Sequence, residues 1–233
     1  MKKTLLALAL ATATLATARA QQAPPAPVAS APAGYAELLS QTIEAITHTG
    51  DPAELSELAA RLERAAAVNP ADWLPRYYQA YALILQARLG KAPLDGKDQL
   101  LDRAEAALNQ AQQLRGDASE VAALQAFGYQ IRLSLDPMQR FQQYGEQVRQ
   151  ATALAKTINP ANPRPYLIEA NQVFYTPEMY GGGAEKARPL YEAAREKFAT
   201  FRPAGPLAPN WGESQVLGRL KTYEVPATAA RGN

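Results

Sequence analysis

The chain has 233 residues, with 24 Lys and Arg against 22 Asp and Glu, one His and no Cys. Without cysteine there are no disulfides and no thiolate metal sites, and a chain of this length can bury a sufficient core without covalent staples. A single histidine leaves no Ser-His-acid set and no two-histidine ligand set to assemble.

The N-terminus reads as a targeting segment. Lys2 and Lys3 precede an apolar run from Leu5 to Leu15, and Ala18-Arg19-Ala20 supplies small residues for cleavage, the three-part layout of a secretory signal over residues 1–20. The run is shorter than the roughly 20 residues that span a bilayer, and no later stretch is apolar for long enough. Cleavage is therefore expected after Ala20, giving a periplasmic or secreted chain with no membrane span. Loss of Lys2, Lys3 and Arg19 leaves 21 basic and 22 acidic residues, a net charge of −1. The basic excess that would suggest nucleic acid disappears with the signal. Residues 21–34 (QQAPPAPVASAPAG) are uncharged and rich in Ala and Pro, so they read as a flexible linker.

From 35 to 225 apolar residues recur at helical spacing between Pro, Gly and Asp breaks. Leu38, Ile43 and Ile46 mark a first helix ending at Gly50, and Asp51-Pro52 opens a second carrying Leu55, Leu58, Leu62 and Ala66. Further helices are expected over Leu74 to Leu89, Asp98 to Leu114, and from Asp117 or Ser119 to Leu135. Pro137 suits the first turn of the next, which runs to Ile158. Arg164 to Tyr175, Glu185 to Phe201 and a short helix after Trp211 complete eight or nine. No period-two runs suggest a sheet, and residues 226–233 read as a frayed tail.

Internal similarity organises these helices. Asn69-Pro70-Ala71 recurs as Asn159-Pro160-Ala161, and with the same offset of 90 residues Pro75 matches Pro165, Ala80 matches Ala170, Leu100 matches Leu190 and Ala104 matches Ala194. Half that offset accommodates a middle hairpin, giving a unit of roughly 45 residues. The stretch from Gly183 to Phe198 (GAEKARPLYEAAREKF) resembles the second helix of the tetratricopeptide-repeat superfamily, and the Asn-Pro breaks are similar to that family's terminal proline. The resemblance implies an all-α fold, a right-handed stack of antiparallel helical hairpins forming an α-solenoid. It also implies that the chain is a protein- or peptide-binding adaptor using a concave groove lined by the first helix of each hairpin. By the family's layout, Tyr81 and its equivalent Asn171 point into that groove.

Candidate binding residues follow. Trp73, Tyr77 and Tyr81 share one helix face, and Phe174, Tyr175, Met179 and Tyr180 crowd the end of the matching helix. Such stripes are commonly core, yet tyrosine hydroxyls suit a half-wet groove. Gly181-Gly182-Gly183 could offer amides to an anion, but without a following lysine it reads more simply as a tight connection using positive φ. His48, at a helix end, reads as a dipole partner. No catalytic residue, metal site or cofactor is expected, and the chain is not read as an enzyme. The rival to the adaptor is a soluble small-molecule-binding accessory protein, serving a transporter, with its pocket around the 174–183 segment.

Overall fold

The computed structural model describes residues 32–224. The expected signal segment, nearly all of the linker and the C-terminal tail lie outside the described residues. Among those described there are nine α-helices and one 3₁₀ turn, with no strand: α1 (Tyr35–His48), α2 (Pro52–Val68), α3 (Leu74–Leu89), α4 (Leu94–Gln113), α5 (Ala118–Leu135), α6 (Pro137–Ile158), α7 (Arg164–Tyr175), the 3₁₀ turn Glu178–Tyr180, α8 (Ala184–Thr200) and α9 (Glu213–Glu224). The fold is all-α, and no described helix is long and apolar enough to cross a membrane.

Local chemistry sets the helix ends. Asp51, Asp117 and Asp136 each accept a backbone amide at the start of α2, α5 and α6, from Ala53, Glu120 and Gln139 respectively, satisfying donors that a helix cannot bond internally. The two Asn-Pro-Ala turns share one geometry. In each the amide three residues on returns to the Asn carbonyl at 3.1 Å, Asp72 to Asn69 and Asn162 to Asn159. The side chains of Asp72 and Asn162 then accept the amides of Leu74 and Arg164, both at 3.0 Å. One boundary and one face differ from expectation. The start of α4 is Leu94, four residues before Asp98, because Pro93 sets the helical entry and Gly96 is carried inside the first turn. Leu38 is 40% exposed, off the buried face formed by Leu39, Ile43 and Ile46.

Each helix packs on the next, and α3 also touches α5 while α5 touches α7. The alanines of the matched positions, Ala80, Ala104, Ala170 and Ala194, are all buried, letting helices approach closely. Apolar on nearly every side, α3 is central.

The inner side of α3, α5 and α7 is not an open groove. The chain between α8 and α9 returns across it: the Tyr78 hydroxyl donates to the carbonyls of Leu207 and Ala208 at 3.3 and 3.1 Å, and Arg164 donates to the Pro209 carbonyl. Trp211, 3% exposed, stacks on Tyr81 and Phe127 with ring centroids 5.1 and 5.6 Å away. Behind it, Gly212 holds φ +110°, and a side chain there would press into Phe198 and Leu167. Arg164 is fully buried and pairs with Glu120 at 2.8 Å. Burial pushes the Glu120 carboxyl up to about 7, against the pull of the Arg164 guanidinium.

This packing corrects two site assignments. Tyr77 and Tyr81 are 0% and 4% exposed, so they are core residues and do not line a solvent groove. They do face the inner side, but the 207–211 segment fills it.

Candidate ligand-binding site

The open surface concentrates at the other end of the odd-numbered helices, and differences in helix length create it. Only 12 residues long, α7 stops at Thr176, whose amide bonds to the carbonyls of Gln172 and Val173, just before Pro177. Its neighbour α6 runs for 22 residues but buries only Val148, Thr152 and Ala155. Its first turns therefore overhang, leaving Met138 and Phe141 exposed. Between α6 and α7 lies a cleft of about 580 Å³, floored by Val148, Ala153 and Val173 and closed by Tyr180, Gly181 and Gly182.

Two further hollows adjoin it. One of about 270 Å³ shares Phe141, Gln172 and Thr176 with the cleft and adds Leu133, Pro137 and Tyr175. This hollow in turn shares Gln130, Ser134, Asn171 and Tyr175 with a groove of about 440 Å³ between α5, α7 and α9. Together they form a trough around the end of α7, in the size range of small-molecule sites.

Four of the sequence-derived candidates meet here. Tyr175 and Tyr180 are each 69% exposed, Phe174 is half-buried with its ring edge-on to Tyr175 at 5.0 Å, and Asn171 accepts a 2.6 Å hydrogen bond from the buried Tyr191 hydroxyl. Burial raises the Tyr191 phenol well above its ordinary range, so it stays a donor. Exposed aromatics beside an apolar cleft are a ligand-contact signal. Tyr77 and Tyr81 are absent from it, as the core packing requires.

The three glycines shape the wall. The amides of Gly181, Gly182 and Gly183 donate to the carbonyls of Glu178, Pro177 and Val173, so none is free to cradle an anion. A Cβ at Gly182 would fall 2.1 Å from the Thr176 carbonyl oxygen. The segment is thus a tight turn folded onto the end of α7.

Sequence reading missed the α6 and α9 contributions. Thr152 lines the cleft at 6% exposure with its hydroxyl unpartnered, an unspent hydrogen-bonding group. The cleft's two cations are neutralised, Arg149 by Glu146 and Lys156 by Glu169. In the groove, Arg219 donates to the Tyr175 hydroxyl at 2.9 Å and lies over the Phe174 ring at 3.9 Å. His48 is on α1, exposed, and outside this trough.

No family model matches the chain, and no curated protein does. A solved structure does: the HusA haemophore from Porphyromonas gingivalis is 35% identical, with a TM-score of 0.73, over 87% of this chain and 98% of that one. The chain belongs to the family of HusA. The match spans nearly the whole of HusA, so the two chains share one overall fold.

Proposed function

We propose that this chain is an exported haem-carrying protein that holds its cargo in the trough around the end of α7. The observation that carries the reading is the 35% identity to a haemophore over 98% of that protein's length. The site's chemistry supports it. A tetrapyrrole is a flat apolar plate with carboxylates on one edge, and the trough offers apolar floor from Val148, Val173 and Leu133. Phe141, Tyr175 and Tyr180 stand at its rim as stacking faces. The signal-like N-terminus fits a carrier that works outside the cytoplasm. No step of chemistry on the cargo is needed, and the chain is read as a carrier, not an enzyme.

The peptide-adaptor reading loses its main support, because the inner surface where such a segment would lie is covered by residues 207–211. Titration of haem into the purified chain, followed by the change in its main absorbance band, tests the proposal. Saturable binding is expected, weakened about tenfold or more by Phe141→Ala with Tyr180→Ala, with the helical circular dichroism unchanged. Absence of saturable binding would refute it.

A further inference from the structure

The groove between α5, α7 and α9 carries a charge imbalance that the rest of the trough does not. Arg88, at the end of α3, and Arg219, on α9, both line it, and no carboxylate does. Among the described residues neither arginine has an acidic partner within ion-pair distance, whereas both cations of the adjoining α6–α7 cleft are paired. Two guanidiniums without acidic partners in one concavity raise the local potential and favour an anion there.

Arg219 is also held ready. Its guanidinium lies over Phe174 and donates one hydrogen bond to the Tyr175 hydroxyl, which fixes its plane and leaves most of its five donors unspent. Gln130, Ser134 and Gln215 add polar groups around it. Tyr175 stands where this groove meets the hollow that leads into the apolar cleft. A ligand with its plate against Phe141 and Tyr175 would therefore direct its acidic edge past Tyr175 toward the arginines.

We infer that Arg88 and Arg219 form the seat for the carboxylates of the cargo and set its orientation, so that the chain selects tetrapyrroles bearing free acid groups. This rests on the haem-carrying reading above and goes beyond it by naming the groups that read the ligand's charge. Charge-assisted, fork-shaped hydrogen bonds of this kind discriminate strongly against a capped acid, which cannot match a guanidinium.

The test is a four-way titration: haem and its dimethyl ester, each with the wild-type chain and with Arg88→Ala/Arg219→Ala. The wild type should bind haem about tenfold or more tighter than the ester, and the double variant should bind both at about the wild type's affinity for the ester. Because Arg219 also packs on Phe174, melting curves accompany each titration. Arg88 is exposed, so Arg88→Gln alone supplies a variant with the core untouched, expected to lose about threefold for haem and nothing for the ester. Equal wild-type affinity for haem and ester would overturn the inference while leaving the carrier reading standing, as would discrimination that survives in the folded double variant. No binding of haem to the wild type would instead sink the carrier reading.

Discussion

The indole N–H of Trp211 donates to the hydroxyl of Tyr77 at 2.8 Å across 134 positions of chain. Tyr77 in turn donates to Glu120 at 3.3 Å, and burial raises its phenol far above the ordinary range, so the relay keeps its protons. This contact ties the segment after α8 to the centre of the helical array. Trp211→Ala should cost about 3–5 kcal/mol by cavity formation, read from urea denaturation. Trp211→Phe keeps the stack on Tyr81 and should cost less, about 1–3 kcal/mol, for smaller volume and a lost donor. A Trp211→Ala chain with wild-type stability would show that the segment is merely draped over the surface.

The Arg164–Glu120 pair is the second tie. Arg164 also lies over the rings of Phe201 and Trp211, at 5.2 and 5.4 Å, so it links α7, α5 and the returning segment. Removing either partner leaves a buried group uncompensated, and Arg164→Met alone should cost about 3–5 kcal/mol. Adding Glu120→Leu should recover part of that loss, because two apolar groups replace two charges. The raised Glu120 value means that its favourable contribution is present below its unfolded value and is lost as pH rises toward 7. Without the pull of the Arg164 guanidinium the carboxyl is raised further, so the deficit of Arg164→Met should be flat up to about pH 7 and grow above it. Denaturation curves on both sides of pH 7 measure it; a deficit that stays flat above about pH 7, or strictly additive single changes, would count against the pairing.

Asp98 behaves oppositely. Its hydrogen bond from Arg140, with the charge of Arg140 and Arg132 behind it, holds its carboxyl below the ordinary value, and the ion pairs at 2.6 and 3.2 Å join α4 to α5 and α6. A depressed carboxyl contributes stability above its unfolded value and loses it as pH falls through the folded one. The chain should thus melt at a lower temperature below about pH 4, and Asp98→Asn should lower the midpoint at neutral pH while flattening the acid limb. A variant whose acid limb parallels the wild type's would place the acid sensitivity elsewhere.

Helix limits were readable where chemistry punctuates the chain. Gly90 ends α3, Pro137 starts α6 and Asn159-Pro160 stops it, and these limits are local signals. The start of α4 was expected at Asp98, four residues late, because the helix enters directly after Pro93 and carries Gly96 in its first turn. Tyr77 and Tyr81 could not be placed from sequence: what covers them is Trp211, and no periodicity encodes a partner so far along the chain. At the site, Phe174, Tyr175 and Tyr180 were visible as a cluster at one helix end, while Asn171 was expected separately, as a groove position equivalent to Tyr81. The opposite wall was not, although it left a trace: the deep burial of α6 begins only at Val148, so Met138 and Phe141 are apolar residues with nothing assigned to cover them.

The lining of the trough bears on how a tetrapyrrole would be gripped. No histidine, cysteine or methionine lines the cleft or its adjoining hollows, and these supply most protein ligands to haem iron. Of the phenols, Tyr175 already accepts from Arg219, which lowers its availability to a metal. Tyr180 remains, at the rim and 69% exposed. Recognition should therefore run through the plate's faces and acidic edge, with iron a passenger. Iron-free protoporphyrin should bind within about threefold of haem, a difference of under about 1 kcal/mol. Tyr180→Phe should bind normally, whereas Tyr180→Ala should lose about tenfold by removing a stacking face. Fluorescence quenching of Trp73 and Trp211 follows the iron-free ligand and absorbance follows haem, so both can be measured on one protein. Were protoporphyrin a hundredfold weaker, or Tyr180→Phe as damaging as Tyr180→Ala, the Tyr180 oxygen would be an iron ligand and this account of the grip would be wrong.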